Sequence, residues 1–294
     1  MLDIKKYQII GVPMSCGSPT SGSEKSTISF YNYFSSNNIS CLYKEIKAKN
    51  KVSFKDKELY SKKSIKITSN RLYKEINKAY KKELIPFVIG GDHSLSIGSV
   101  AASINKYRDD VLVVWIDAHA DINTKESSMS HYIHGMPNAI SMGLTCKELS
   151  PIKQKEVLKG NNLVILGARS IDEGEYPILK DNNVKYISVK EIRKIGINNY
   201  LENIRKNSNA KYVHISFDVD CLDPSEFVST GYNIENGFKV NEVKQILSFF
   251  NENYKLELFE CVEYNPNLDK DDKDLNKIMD CMRSIIGGIK WISF

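Results

Sequence analysis

An α/β fold built on a parallel sheet with helices on both faces is what this sequence predicts, on three observations. Short β-branched runs alternate with amphipathic segments along nearly all 294 residues, the pattern of repeated strand–helix units. The run Val111-Leu112-Val113-Val114-Trp115-Ile116 is apolar without alternation, as a central strand buried on both faces should be. No Pro/Gly/Ser linker, composition break or internal repeat divides the chain, so a single domain over 1–294 is the expectation.

Strands are expected at 7–12, 86–89, 111–116, 163–166, 184–187, 212–217 and 257–262, where β-branched and aromatic residues run together between turn signals. Helices are expected at 28–34, 71–82, 94–106, 189–194, 200–207, 240–253 and 275–289, where apolar residues recur at helical spacing. The longest irregular stretches near motif residues are 123–134 and 222–238. Loops at the carboxyl ends of parallel strands are where such folds bind ligands.

Composition narrows the function classes. With 41% hydrophobic and 26% charged residues the chain is ordinary for a globular enzyme. No apolar run approaches the roughly 20 residues of a membrane helix, and the N-terminus has no signal-peptide core, so a cytoplasmic protein is expected. The six cysteines form no CxxC pair, which points to reduced structural thiols rather than a zinc ribbon or redox motif. Net charge is +5, but between 44 and 67 nine lysines face only Glu45, Asp56 and Glu58. That stretch lacks Arg and regular aromatic interleaving, so it reads as a solvated, lysine-coated excursion and not a nucleic-acid surface.

Four of the five histidines sit inside or beside acidic motifs, and only His214 stands apart. Asp117 follows directly on strand 111–116 and Asp218 on strand 212–217. Strand 86–89 runs into Gly90-Gly91-Asp92-His93. Three strands thus deliver His93, Asp117, His119, Asp121, Asp218 and Asp220 to one edge of the sheet. So many carboxylates beside imidazoles carry too much charge to bury without cations. Six ligands exceed one tetrahedral zinc, and the hard oxygen donors suit a bridged pair of Mn²⁺-like ions. Asp92 reads as an orienting or capping residue.

The blocks Gly90-Gly91-Asp92-His93-Ser94, Asp117-Ala118-His119-Ala120-Asp121-Ile122-Asn123, His134-Gly135-Met136-Pro137 and Ser216-Phe217-Asp218-Val219-Asp220-Cys221-Leu222-Asp223-Pro224 resemble the signature blocks of the ureohydrolases. That family includes arginase, agmatinase and formimidoylglutamase. Glu263 in Glu260-Cys261-Val262-Glu263-Tyr264-Asn265-Pro266 matches its late acidic block. The resemblance spans essentially the whole chain. It implies a three-layer α/β/α fold around an eight-stranded, mostly parallel sheet, with two Mn²⁺ per chain (Fe²⁺ or Co²⁺ can use the same donors) and a homo-oligomer, trimer or hexamer. One ion is implied on His93, Asp117, Asp121 and Asp218, the other on His119, Asp117, Asp218 and Asp220.

The reaction implied is hydrolysis of a guanidinium group by a hydroxide held between the metals. Asp121 would orient the hydroxide and His134 would shuttle the proton to the leaving amine. Glu263 would pair with the guanidinium. Asn123 and Ser130 fit arginases, where the equivalent residues read an α-carboxylate, and Asp172 and Glu175 fall where the α-amino end is read, Asp172 the closer. L-arginine is therefore the expected substrate. The alternatives are another guanidino or formimino compound (agmatine, a guanidino acid, formimidoylglutamate) and a metal-binding member without turnover. The chain departs from the family pattern at His131-Tyr132, where Gly-Asn is usual, at Tyr232 and Asn236, and in lacking Gly-Pro within 21–26.

Overall fold

The computed structural model describes residues 2–52, 59–152 and 156–286. Eight strands are formed: β1 (Leu2–Gly11), β2 (Ile39–Glu45), β3 (Ile85–Ile89), β4 (Val111–Ile116), β5 (Leu163–Leu166), β6 (Lys185–Ile187), β7 (Tyr212–Asp218) and β8 (Lys255–Val262). They make one sheet in the order β2-β1-β3-β8-β7-β4-β5-β6, and every pairing in it is parallel. Among the described residues the α-helices are α1 (Ser26–Ser36), α2 (Lys62–Lys81), α3 (Ser96–Tyr107), α4 (Pro137–Ser141), α5 (Glu175–Asp181), α6 (Val189–Ile195), α7 (Ile197–Lys206), α8 (Val240–Asn253) and α9 (Lys273–Arg283). The expected α/β/α layering is present.

Strand alternation explains the two layers. Ile9, Phe87, Val114, Ile215 and Phe259 pack on one face against Phe30 of α1, Leu201 of α7, Phe250 of α8 and Met279 of α9. On the other face Ile10, Val88 and Leu258 meet Leu72 and Ile76 of α2 and Ile97 and Ala102 of α3, while Val113 and Trp115 meet Val100 and Ile104 of α3. α3 also carries Ser96, Ser99 and Ser103, three fully buried hydroxyls at helical spacing. They cover His214 of β7 and Glu260 of β8, and Ser103 Oγ lies 2.9 Å from His214 Nδ1. His214, apart from the acidic motifs in sequence, thus sits in a polar seam inside the sheet–helix core.

The expected strands are all found, with boundaries shifted by a few residues. β2 was not expected: Ile-Ser-Cys-Leu-Tyr-Lys-Glu is largely exposed and lacks a clean apolar alternation, as suits a sheet edge. α4 and α5 were also missed, being too short to show a helical period. Helix 71–82 begins earlier, at Lys62, and the last residues of helix 275–289 lie outside the described residues. The lysine-rich stretch is solvated at its described lysines, all exposed but the half-buried Lys62. Its other residues tie it into the fold: Ile46 and Leu59 are buried, and Asn50 Oδ1 accepts from Ser15 N–H at 2.9 Å. Residues 53–58 of that stretch lie outside the described residues. No helix among the described residues is long and apolar enough to cross a membrane.

Candidate metal centre and substrate cavity

β3, β8, β7 and β4 are neighbours at the middle of the sheet, so the four motif-bearing strand ends meet at one edge. After β3, Gly90 and Gly91 turn the chain with φ of 93° and 84°, and a Cβ on Gly91 would stand 2.8 Å from Val12 O. Asp92 then caps the turn, accepting from Ser94 N–H at 3.0 Å and from Gly17 N–H at 2.8 Å. It acts as the orienting residue expected. Burial, with the Glu263 charge adding to it, raises the Asp92 carboxyl to about 6.

His93 is buried, its ring stacked on Trp115 at 4.0 Å, and its Nε2 lies 2.8 Å from Ser216 Oγ. That leaves Nδ1 facing Asp117 Oδ2 at 3.1 Å, Asp121 Oδ2 at 3.0 Å and Asp218 Oδ2 at 2.9 Å. Nδ1 nevertheless makes no hydrogen bond of acceptable angle. Three carboxylate oxygens thus crowd an imidazole nitrogen that has no hydrogen-bond partner, a donor set that a cation fills. His119 Nδ1 lies 3.0 Å from Asp220 Oδ2 and 3.4 Å from Asp117 Oδ1. Ligand atoms of His93, Asp117 and Asp218 fall within 4.8 Å of one another, and so do those of Asp117, His119 and Asp220, so two groups share Asp117.

The remaining carboxylate oxygens are held from behind. Asp117 accepts from Trp115 Nε1 at 2.9 Å and from His119 N–H at 2.7 Å, Asp218 from Asp220 N–H at 2.8 Å, and Asp220 from Ala118 N–H at 3.1 Å. Electrostatics agree with a cation site. Burial and the Asp220 and Asp117 charges push Asp218 well above the usual carboxylate range, and burial with the Asp117 charge raises Asp121 to about 6. Without added positive charge these aspartates cannot all ionise. The residues present therefore fit divalent ions.

Above this edge lies a cavity of about 240 Å³, lined by His119, Asp121, Asn123, Ser130, His134, Asp172, Glu175, Tyr232 and Glu263 among others. Glu263 Oε1 accepts from His93 N–H at 2.8 Å and stands 3.6 Å from His134 Nδ1. Burial lowers the His134 pKa, but the Glu263 carboxylate outweighs it, and the net shift is upward. Asn123 donates to Asp172 Oδ2 at 2.8 Å and accepts from Ser127 Oγ at 2.8 Å. Glu175 is buried, and its carboxylate accepts from Ile122 N–H and Asp172 N–H, both at 2.9 Å. It braces the two loops against each other, and burial raises its carboxyl to about 7. Ser130 is exposed at the rim. Asp121, His131 and Glu263 adopt φ of 49°, 60° and 64°, a left-handed backbone that costs non-glycine residues on the order of 1 kcal/mol each.

All the sequence-predicted site residues thus gather at one edge and cavity. Ser216, Trp115 and Ser127, which support them, were not foreseen. The spacing of His214, Ser216 and Asp218 places all three on one strand face, a signal that could have found Ser216.

Comparison with known proteins agrees with this geometry. The arginase family model matches residues 5–287. The chain belongs to the arginase family. The arginase of Staphylococcus aureus strain COL is 35% identical over 222 residues, covering 74% of this chain and 73% of that protein. The Bacillus subtilis arginase is 34% identical over 234 residues, covering 79% of each. A crystal structure of Bacillus subtilis arginase superposes with a TM-score of 0.88 at 30% identity, over 97% of this chain and 100% of that one. The Entamoeba histolytica arginase, solved with L-ornithine, gives 0.88 at 27% identity, over 98% and 100%. The arginase-family fold expected from the signature blocks is therefore the fold this chain adopts.

Proposed function

We propose that this arginase-family hydrolase cleaves the guanidinium group of L-arginine to L-ornithine and urea within a single ureohydrolase domain. The observation that carries the reading is the two-ended cavity. Its floor gathers Glu263 and the His/Asp edge, and its wall holds Asn123 paired to Asp172, a neutral and an acidic group suited to an α-carboxylate and an α-ammonium. Relatives named arginase support it. His93, Asp117, Asp121 and Asp218 would hold one Mn²⁺, and His119, Asp117, Asp218 and Asp220 a second, with Fe²⁺ or Co²⁺ able to use the same donors. Such ions supply the acidification of water near neutral pH and offset the crowded carboxylates.

The chain's own residues do the rest. Glu263 pairs with the guanidinium NH groups and holds its carbon over the floor. Asp121 keeps an oxygen to orient the attacking water. His134, made more basic by the Glu263 carboxylate, carries the proton to the departing amine nitrogen. Glu175 fixes the loop that carries Asn123, while Asp172 and Ser130 complete the amino-acid end. A homo-oligomer, trimer or hexamer, in the cytoplasm accompanies this reading.

Tyr232 in the cavity wall and Tyr132 edge-on to His134 favour a second reading, another guanidino or formimino substrate. Urea release by Mn²⁺-loaded protein, given L-arginine and agmatine in parallel, decides between them. Arginine turnover alone, with KM rising about tenfold in Asn123→Ala, supports the proposal. No urea from either compound with metal bound would sink it.

A further inference from the structure

Five aromatic rings follow one another from the segment before α2 into the cavity, which His119, His134 and Tyr232 line. Tyr60 stacks face to face on Tyr132, with centroids 4.2 Å apart and planes 5° from parallel. Tyr132 meets His134 edge-on at 6.5 Å and 77°, and His134 stacks on Tyr232 at 5.7 Å and 20°. Tyr232 in turn stands edge-on to His119 at 5.8 Å and 75°. The rings come from three separate places: the approach to α2, the loop after β4 and the loop after β7.

The backbone around the run is pinned. Tyr60 N–H donates to His131 O at 3.1 Å, and His134 N–H donates to Gly17 O at 3.0 Å. The imidazole itself is held differently. A histidine is usually oriented by a short hydrogen bond from one ring nitrogen. Here the Glu263 carboxylate is 3.6 Å from His134 Nδ1, beyond ordinary hydrogen-bond length. Besides that ion pair no shorter polar contact reaches the ring among the described residues, which leaves the flanking ring planes to share in holding its orientation.

We propose that Tyr132 and Tyr232 are positioning residues for His134, gripping its imidazole between an edge and a face so that it meets the substrate in one orientation. The inference deepens the hydrolytic reading of this cavity and rests on it. Tyr60 extends the grip to the segment leading into α2, so the lysine-rich stretch itself bears on the reacting end of the site. What the grip requires is a flat ring at each position; the tyrosine hydroxyls are not part of it.

The test pairs Tyr132→Asn and Tyr232→Thr with Tyr132→Phe and Tyr232→Phe in the full chain. Steady-state urea release from L-arginine with Mn²⁺ gives kcat and KM. Long-range ¹H–¹⁵N spectra of the metal-free protein report the His134 ring. The small substitutions should lower kcat about tenfold, a fraction of what a positioned acid contributes, with KM moving less than about threefold. Phenylalanine at either position should recover most of kcat. The His134 ring resonances should move in the Asn and Thr variants and stay in place in both Phe variants. Equal losses for Phe and the small residues would overturn the proposal, because the hydroxyl would then be the active part. A rise in KM at unchanged kcat would overturn it too, as would His134 resonances unmoved in all four. Should one small substitution prevent folding, the other position carries the test. Wild-type protein that releases no urea from any guanidino compound strikes the functional reading, while the spectra still decide the grip.

Discussion

Two buried clusters of histidine and carboxylate lie on the same face of this sheet, and they resolve the same electrostatic problem in opposite ways. In the seam under α3, one imidazole and two glutamates meet neutral hydroxyl donors, though His214 Nε2 and Glu257 Oε1 keep no hydrogen-bond partner. Ser96 Oγ donates to Glu260 Oε1 at 2.6 Å, Ser99 Oγ donates to Oε2, and His214 Nε2 stands 3.4 Å from Glu260 Oε1. Tyr80 donates its hydroxyl to Glu257. At the carboxyl edge, two imidazoles face four aspartates, and the oxygens nearest His93 Nδ1 accept no well-aligned bond from it. Hydroxyl donors make a buried charge tolerable where they reach most of its oxygens, as they do three of the four here. Where carboxylates outnumber donors, a cation is the remaining solution.

The largest break in this comparison is Asp218→Asn. It should lower urea release by about a thousandfold or more and reduce bound metal. The metal-free protein should lose no stability, because a crowded charge has gone. A metal-free variant that melts well below the metal-free wild type would show that Asp218 serves folding instead. Metal removal comes next. Raising free Mn²⁺ to a hundred times its Kd should stabilise the wild type by about 2.7 kcal/mol for each ion bound. Calorimetry with and without chelator measures it, and that increment should disappear in Asp218→Asn and persist in seam variants.

Glu260→Gln tests the seam itself. Burial alone raises this carboxyl, but His214 and the Ser96 and Ser99 hydroxyls outweigh it and hold it at about 2, below its ordinary value of 4.5. A folded-state value below the unfolded one means stability that is present above pH 4.5 and lost as pH falls toward 2. The glutamine variant should be about 3 kcal/mol less stable than wild type near neutrality. That gap should close between pH 4.5 and 2. Denaturant titrations across that window that show a constant gap would remove the charge from the explanation. The smallest effect is Ser103→Ala, which deletes one hydrogen bond to His214. It should cost about 1 kcal/mol in the same titrations and leave urea release alone.

The two clusters also differ in how far they could be read beforehand. Every aspartate and histidine of the metal edge sits within a few residues of a strand end, so local sequence places it at the sheet's carboxyl edge. Seam members are far apart, with Ser103 and His214 separated by 111 residues. Each alone looks like an ordinary polar residue. Glu175 was expected near the substrate's amino end and lines the cavity, yet its oxygens accept from two backbone amides, a use that only the meeting of two loops creates.

What the sequence determined by itself is therefore local: a two-residue period and apolar runs for the strands, and the acidic or imidazole residue that follows each one. The β/α alternation and the donor set follow from those. The tertiary structure decided what depends on pairing between distant segments. It made β3, β8, β7 and β4 neighbours, turned His93 Nδ1 onto three carboxylates, laid α3's serines over His214 and Glu260, and stacked Tyr60 on Tyr132. The reason is physical. Backbone periodicity is written into neighbouring residues, whereas strand order and ring contacts arise only when packing of the whole chain chooses which surfaces meet.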